Sequence, residues 1–446
     1  MAIRAGERNA AAAMNEVDEL AALAHIARAE REAALVPGIE GATTAPAEAA
    51  AVIGAGAMGA GIATCFAAAG IPVTLVDIAP ENVERGLVAA RANLDGAVAR
   101  GKMKAEDRAR ATALLSGAAD YAKIEGVDII VEAVFENLGL KRRIFADLDR
   151  AVKTSAILAT NTSYLDVDAI AAATARPEKV LGLHFFNPAH VMKLLEIVRG
   201  AATARETLAA GIAVARRLQK TGVVAKNGFG FIGNRMLNAY RTEALNLALE
   251  GAPVAAIDAA VVAFGMPVGP FALMDLTGLE VNVKMRAEAD PARIDAGAFR
   301  IVDRLYAMGR AGRKSGAGFY LYETGAQALA DPAVDAMIAE ETEGKTLLKG
   351  ASASDLADRC ILALVNEGAR ILEDGVAQRS GDIDVTYVAG YGFPRALGGP
   401  MYWAERQGLA AVVERIRRYH AQTGAARWRL APLLEAAAAA GAWPAR

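Results

Sequence analysis

The sequence predicts an α/β first half, a doubly wound and mainly parallel sheet, followed by all-α C-terminal domains built from a duplicated helical unit. Three observations predict it. Up to about residue 226, short apolar runs alternate with amphipathic helical stretches, as in a parallel sheet covered by helices. Beyond the apolar run 223–225 the strand signals fade and helical periodicity continues to the C-terminus. Within that second half the stretch 243–251, the pair Ile257-Asp258, and Gly265-Met266-Pro267 with Pro270 recur in order as 367–375, Ile383-Asp384, and Gly392-Phe393-Pro394 with Pro400. Ordered identities at near-equal spacing favour duplication over coincidence.

Taken in order, residues 9–35 read as one amphipathic helix, broken by Pro37 and the Gly- and Pro-containing stretch 38–46. Strands are expected at 49–53, 73–76, 129–134, 156–159, 180–186, 194–198 and 223–225, with helices between most of them. The expected organisation is therefore an N-terminal helix and linker over 1–47, an α/β domain over 48–226, and helical domains over 227–325 and 350–446. A chain of 446 residues exceeds what one core supports, so this many domains is reasonable.

The composition excludes several functions. A net charge of -2 argues against a general grip on nucleic acid or on an anionic membrane surface, so any anionic ligand must be held locally. No stretch suits a membrane-spanning helix. Cys65 and Cys360 are too few for a disulfide framework or a thiolate zinc site and read as small buried hydrophobes, and no metal is expected. The acidic N-terminus lacks signal architecture, which predicts a cytoplasmic protein.

Gly54-Ala55-Gly56-Ala57-Met58-Gly59 follows the first strand and opens a helix. The first glycine permits a tight turn, the second lets backbone approach a pyrophosphate, and the third lets helix and strand pack closely. Asp77 stands at the end of the second strand, where a carboxylate accepts hydrogen bonds from ribose hydroxyls and repels a 2'-phosphate; this favours NAD over NADP.

Of the four histidines, His25 and His420 read as solvated helix-face residues, and His190 in a loop is equally suited to structure or function. His184 lies inside an apolar strand, and Glu196 is the only acid of the next one. Consecutive strands joined by a short loop tend to be neighbours, so the two are expected to meet. Such a pair can act as a general base and its carboxylate support, or serve equally as a buried structural hydrogen bond. Asn161-Thr162-Ser163 follows the strand 156–159, and Asn234-Arg235 is expected one turn into a helix opening near Gly230. Each can bind a substrate oxygen or simply cap a helix or turn.

These residues, together with Val131-Glu132-Ala133-Val134, Glu136-Asn137, His184-Phe185-Phe186-Asn187-Pro188 and the run Gly312-Arg313-Lys314-Ser315-Gly316-Ala317-Gly318-Phe319-Tyr320, resemble the 3-hydroxyacyl-CoA dehydrogenase family. The likeness spans about 48 to 435 and is closest to the dehydrogenase half of the bacterial multifunctional fatty acid oxidation enzymes, without their hydratase domain. It implies a Rossmann-type domain and NAD-dependent, reversible oxidation of an L-3-hydroxyacyl-CoA to a 3-oxoacyl-CoA. By the resemblance His184 is the general base, Glu196 its partner, and Ser163 and Asn234 the groups on the reacting oxygen. Gly54, Gly56, Ala57, Met58, Gly59, Asp77, Ala133, Glu136, Lys141, Asn161, Ser163 and Asn187 border NAD, while Asn93 and Lys104 fall near the helices that meet CoA.

The resemblance further implies a substrate cleft between the two halves and a monomer whose second helical copy takes the place of a dimer partner. Association with other fatty acid oxidation enzymes is also implied. Two departures stand out. Asn227-Gly228-Phe229-Gly230-Phe231 replaces a proline-containing segment, which predicts a looser hinge, and Tyr164 follows Ser163 where a small hydroxyl residue is common. Two alternatives remain: a related dehydrogenase of carnitine or gulonate type, and a non-catalytic NAD-binding protein on the same frame.

Overall fold

The computed structural model describes residues 16–288, 294–323, 327–342, 348 and 352–444. The chain divides into two compact units. One is Arg28–Phe231 with Val376–Gln378; the other joins the described N-terminal residues up to Ala27 with Ile232–Gly375 and Arg379–Arg446.

The first unit is built on one eight-stranded sheet. Its strands are β1 (Ala50–Ile53), β2 (Val73–Val76), β3 (Leu115–Ala118), β4 (Ile129–Glu132), β5 (Ile157–Thr160), β6 (Val180–Phe185), β7 (Leu194–Arg199) and β8 (Thr221–Lys226). Their spatial order is β3-β2-β1-β4-β5-β6-β7-β8, and every neighbouring pair is parallel except β6 with β7. Every residue of β1, β4 and β6 is buried, which explains their continuous apolar runs: strands covered on both faces by helices have no polar side. The order reverses at β1, and ligands of doubly wound sheets sit beyond the carboxyl ends at such a switch point.

β3 is an addition to the expected strands. Its sequence Leu-Ser-Gly-Ala contains no β-branched or aromatic residue, so it carries no strand signal, and it forms because the edge of β2 offers an unpaired ladder. Gly117 suits that place, since a Cβ there would lie 2.4 Å from the Val83 side chain of the covering helix.

Among its described residues the second unit is helical apart from a hairpin of Tyr320–Tyr322 with Ala328–Ala330, which helical periodicity did not predict. Its centre is the packing of helix Gly233–Leu249 against helix Ala353–Glu373. Their ion pairs occur in exchanged form. Arg235 bonds Glu367 at 2.6 Å and Asp374 at 2.7 Å, while Arg359 bonds Glu243 at 2.6 Å and Glu250. The glycines of the repeated turns are exchanged likewise: a Cβ on Gly265 would meet Pro394 at 2.8 Å, and one on Gly392 would meet Pro267 at 2.6 Å.

The N-terminal helix runs Glu16–Glu32; the rest of the expected span before residue 16 lies outside the described residues. His25 is not a solvated face residue. Its Nε2 bonds the buried Asp384 at 2.9 Å, and its ring stacks on Tyr402 at 4.3 Å. A partner 359 positions away leaves no trace in helical periodicity. His420, by contrast, has a local partner, its Nδ1 meeting the Ala425 carbonyl at 3.2 Å beyond the end of its helix. Cys65 and Cys360 are both buried and unbridged, as their apolar settings predicted.

Candidate active site

The glycine fingerprint occupies the turn from β1 into helix Ala57–Ala68. Gly54 has φ +101, and a Cβ there would lie 2.8 Å from the Ala133 carbonyl, so both conformation and space demand glycine. At Gly59 a Cβ would fall 1.8 Å from the Gly54 oxygen. Gly56 differs: no atom lies within 4 Å of its would-be Cβ, and it is exposed with Ala57, while Met58 is half-buried. Two glycines therefore close the turn against the sheet and the third leaves an open cradle, as a bound pyrophosphate requires.

Asp77 follows β2 and faces this turn, its Oδ2 accepting from the Ala55 amide at 2.9 Å and its Oδ1 from Asn82 Nδ2 at 2.8 Å. Partial burial opposes its charge, but the Ala55 amide, the Asn82 side chain and the Ala79 and Ile78 amides outweigh that and hold the carboxyl below its ordinary range. Ile78 beside it and Phe135 beyond β4 are 95% and 85% exposed, apolar surface of the kind an adenine ring covers. The cradle, the ionised Asp77 and these apolar side chains fit a dinucleotide.

Glu132 ends β4 opposite Thr160 in β5 and accepts from the Thr160 hydroxyl at 2.7 Å and the Val134 amide at 2.7 Å. Lys141, assigned to the NAD border, is fully buried; its Nζ donates to Glu132 at 2.7 Å and lies 3.5 Å from Glu136. It thus acts on the rim through the exposed Glu136, whose Oε1 accepts from the Thr162 hydroxyl at 2.5 Å and the amides of Ser163 at 2.8 Å and Tyr164 at 3.1 Å. Ala133 and Ser163 are half-buried on the same rim. Asn161 is a brace, its Oδ1 accepting from the Phe185 amide at 2.8 Å, and Asn187 is exposed just past β6.

The expected histidine–carboxylate pair is formed. β6 and β7 are antiparallel with His184 directly opposite Glu196, and His184 Nδ1 lies 2.7 Å from Glu196 Oε2. Glu196 is fully buried and His184 is 3% exposed. The Phe186 and Phe231 rings stand 4.5 and 5.7 Å from the imidazole. Phe231 is held at φ +49, a costly conformation for a bulky residue, and that places its buried ring beside His184. With Nδ1–H donated to a carboxylate, Nε2 is the basic nitrogen.

Asn227 opens the segment that lacks the proline. Its side chain accepts from the Val167 amide at 3.2 Å and donates to Asp166 and Asp168 at 2.5 and 2.7 Å. Asn234 belongs to the helical unit and is the second residue of its helix, not one turn in, because the left-handed backbone at Gly230 and Phe231 delays the helix to Gly233. Of the two proposed CoA contacts, Asn93 is half-buried and donates to Thr64 Oγ1 at 3.3 Å, and Lys104 is exposed at the start of helix Ala105–Ala113. Tyr391, which meets Asn234, was missed, since no motif marks it.

The fold and the cradle are those of a dinucleotide-binding α/β protein, and the chain adds a buried histidine–glutamate pair. The chain belongs to the 3-hydroxyacyl-CoA dehydrogenase family: its NAD-binding domain matches residues 49–228, and its C-terminal domain matches twice, at 230–322 and 356–445. Among curated proteins it is 38% identical to a peroxisomal bifunctional enzyme of Cavia porcellus, over 85% of this chain and 54% of that one. A peroxisomal bifunctional enzyme of Danio rerio is 40% identical over 84% and 53%. The chain thus spans about half the length of the curated relatives it matches. Among solved structures, a 3-hydroxybutyryl-CoA dehydrogenase from Escherichia coli superposes with TM-score 0.77 at 28% identity, covering 89% of this chain and 99% of that one. The dehydrogenase part of a multifunctional enzyme from C. elegans gives 0.68 at 27%, covering 95% and 97%. No helix among the described residues is long and apolar enough to cross a membrane.

Proposed function

We propose that this protein oxidises the 3-hydroxyl of an L-3-hydroxyacyl-CoA thioester to the ketone, reversibly, with NAD. The observation that carries this reading is the buried 2.7 Å contact between His184 and Glu196. Hydride leaves a carbinol carbon readily only when the hydroxyl proton leaves as well, so the site needs a base of near-neutral strength. His184 Nε2 takes that proton, and Glu196 fixes the tautomer and stabilises the imidazolium. Ser163 and Asn234 hydrogen-bond the reacting oxygen. Asp77 holds the ribose hydroxyls and the cradle at Gly56 the pyrophosphate, and NAD when bound supplies the hydride acceptor at its nicotinamide C4.

Lys104 and Asn93 are assigned to the CoA moiety. The helical domains over 227–325 and 350–446 are read as duplicates that pair within one chain, a reading supported by the exchanged ion pairs and the twofold family match. The protein would then be a monomer, which light scattering tests; a stable dimer contradicts it. A cytoplasmic location and association with other fatty acid oxidation enzymes complete the proposal, and the peroxisomal relatives make cell fractionation the deciding measurement for location.

The test is His184→Gln, assayed by NADH formation from hydroxyacyl-CoAs of different chain length. Turnover should fall by about two to four orders of magnitude while NAD affinity is retained. Turnover comparable to the parent eliminates the assignment.

A further inference from the structure

Two tyrosines of the second helical copy meet the first turn of helix Gly233–Leu249. Tyr387 lies in helix Ser380–Gly390 and Tyr391 is its C-cap, and their rings stack with centroids 4.8 Å apart and planes 18° apart. The Tyr387 hydroxyl donates to the Gly233 carbonyl at 3.3 Å, and the Tyr391 hydroxyl donates to Asn234 Oδ1 at 2.9 Å. A Cβ on Gly233 would lie 2.4 Å from the Tyr391 ring, so glycine at this place is what admits the tyrosine.

A carboxamide has an acceptor end and a donor end. With Oδ1 engaged by the Tyr391 hydroxyl, the amide is turned so that Nδ2, the donor, faces the other way. An alcohol oxygen becoming a carbonyl gains negative charge and calls for a donor. The repeat supplies a second, independent observation. The residue directly before Gly392 is Tyr391, whereas the one directly before Gly265 in the first copy is Phe264, so the scaffold is satisfied at this position without a hydroxyl.

We propose that Tyr391 is a positioning residue for the reaction: its hydroxyl fixes the flip and direction of the Asn234 carboxamide, so that the second helical copy completes the oxygen-binding group of the first. This rests on the reading of Asn234 as the residue that binds the reacting oxygen.

The test is a double-mutant cycle of Tyr391→Phe and Asn234→Ala in the full chain. Tyr391→Phe keeps the ring stack and removes one oxygen. It should lower kcat about tenfold, the scale of one oriented hydrogen bond, with KM for NAD and the melting temperature little changed. On the Asn234→Ala background the same change should have no further effect, because its target is gone. Three results overturn the proposal. If Asn234→Ala cripples turnover but Tyr391→Phe stays within twofold of the parent, the positioning role fails and the function stands. Should Tyr391→Phe lower kcat equally on both backgrounds, its role is general support of the fold. Full turnover in Asn234→Ala removes this inference and the assignment beneath it together.

Discussion

Helix Gly233–Leu249 opens Gly233-Asn234-Arg235, and helix Ala353–Glu373 reaches the same register at Ala357-Asp358-Arg359. The two arginines are used alike, each crossing to a glutamate of the other helix. The residues before them are not. Asn234 takes a hydroxyl from Tyr391, whereas Asp358 bonds Arg415 at 2.5 Å and the Tyr419 hydroxyl at 2.9 Å. The repeated copies have therefore kept the contacts that join them and diverged at the position that the proposed chemistry uses. A group that pairs the copies is constrained by two surfaces at once, while one that faces a substrate is constrained only in the copy that meets it.

The largest expected effect separates these positions. Asn234→Ala should lower kcat/KM by about a hundredfold or more, the usual consequence of losing a donor to a reacting oxygen. Asp358→Ala should leave kcat/KM within about twofold and lower the melting temperature, since Arg415 and Tyr419 lose a half-buried partner. Equal losses of activity in the two variants would mean that the copies share the function and that the divergence is incidental.

A smaller effect tests what has been kept. Arg359 is 4% exposed and Glu243 fully buried, whereas Arg235 and Glu367 retain 14% and 16% side-chain exposure. Removing one member of a buried pair leaves an uncompensated charge. Arg359→Met should therefore cost about 3 kcal/mol of unfolding free energy, the lower end of that range because Arg427 still bonds Glu243 at 2.6 Å. Arg235→Met should cost about 1 to 2 kcal/mol. Urea unfolding of both variants checks the order, and a reversal would show that the exchanged pairs are alike only in geometry.

What was legible in the sequence follows the same division. The fingerprint turn, the β1 and β2 runs and Asp77 were readable because each rests on local backbone demands or continuous burial. His184 and Glu196 were readable as a pair because only one short loop separates their strands, which makes antiparallel pairing the default. The edge strand β3 was not, because Leu-Ser-Gly-Ala has no intrinsic preference to detect and is recruited by its neighbour. The burial of Lys141 was not either, since its basic side chain reads as exposed until Glu132 is placed beneath it. His25 and Tyr391 were invisible for one reason: each acts on a residue more than 150 positions away, and no periodicity encodes such a partner.

His25 also provides the finest comparison between the copies. Asp258 and Asp384 are equivalent buried residues, and each accepts the first amides of a following helix: Phe271 and Ala272 in one case, Met401 and Tyr402 in the other. Each has one further partner, the Tyr320 hydroxyl at 2.9 Å for Asp258 and His25 at 2.9 Å for Asp384. The N-terminal helix thus supplies to the second copy what the hairpin supplies to the first. Burial raises both carboxyls to about 6, against the opposing hydrogen bonds and, for Asp258, with a further push from Asp275. A folded value above the unfolded one means that the folded state holds the proton more tightly. The stability these groups contribute is therefore fully present below the ordinary carboxylate range and is lost as pH rises through about 6. His25→Phe keeps the stacking on Tyr402 but removes a contact that favours ionised Asp384, so the loss should move to higher pH. Tyr320→Phe should do the same through Asp258. Each change should cost about 1 kcal/mol above the transition and less below it, measured by urea unfolding at pH 4.5 and 7.5. If Tyr320→Phe moves the profile and His25→Phe leaves it superimposable on the parent, the N-terminal helix does not complete the second copy.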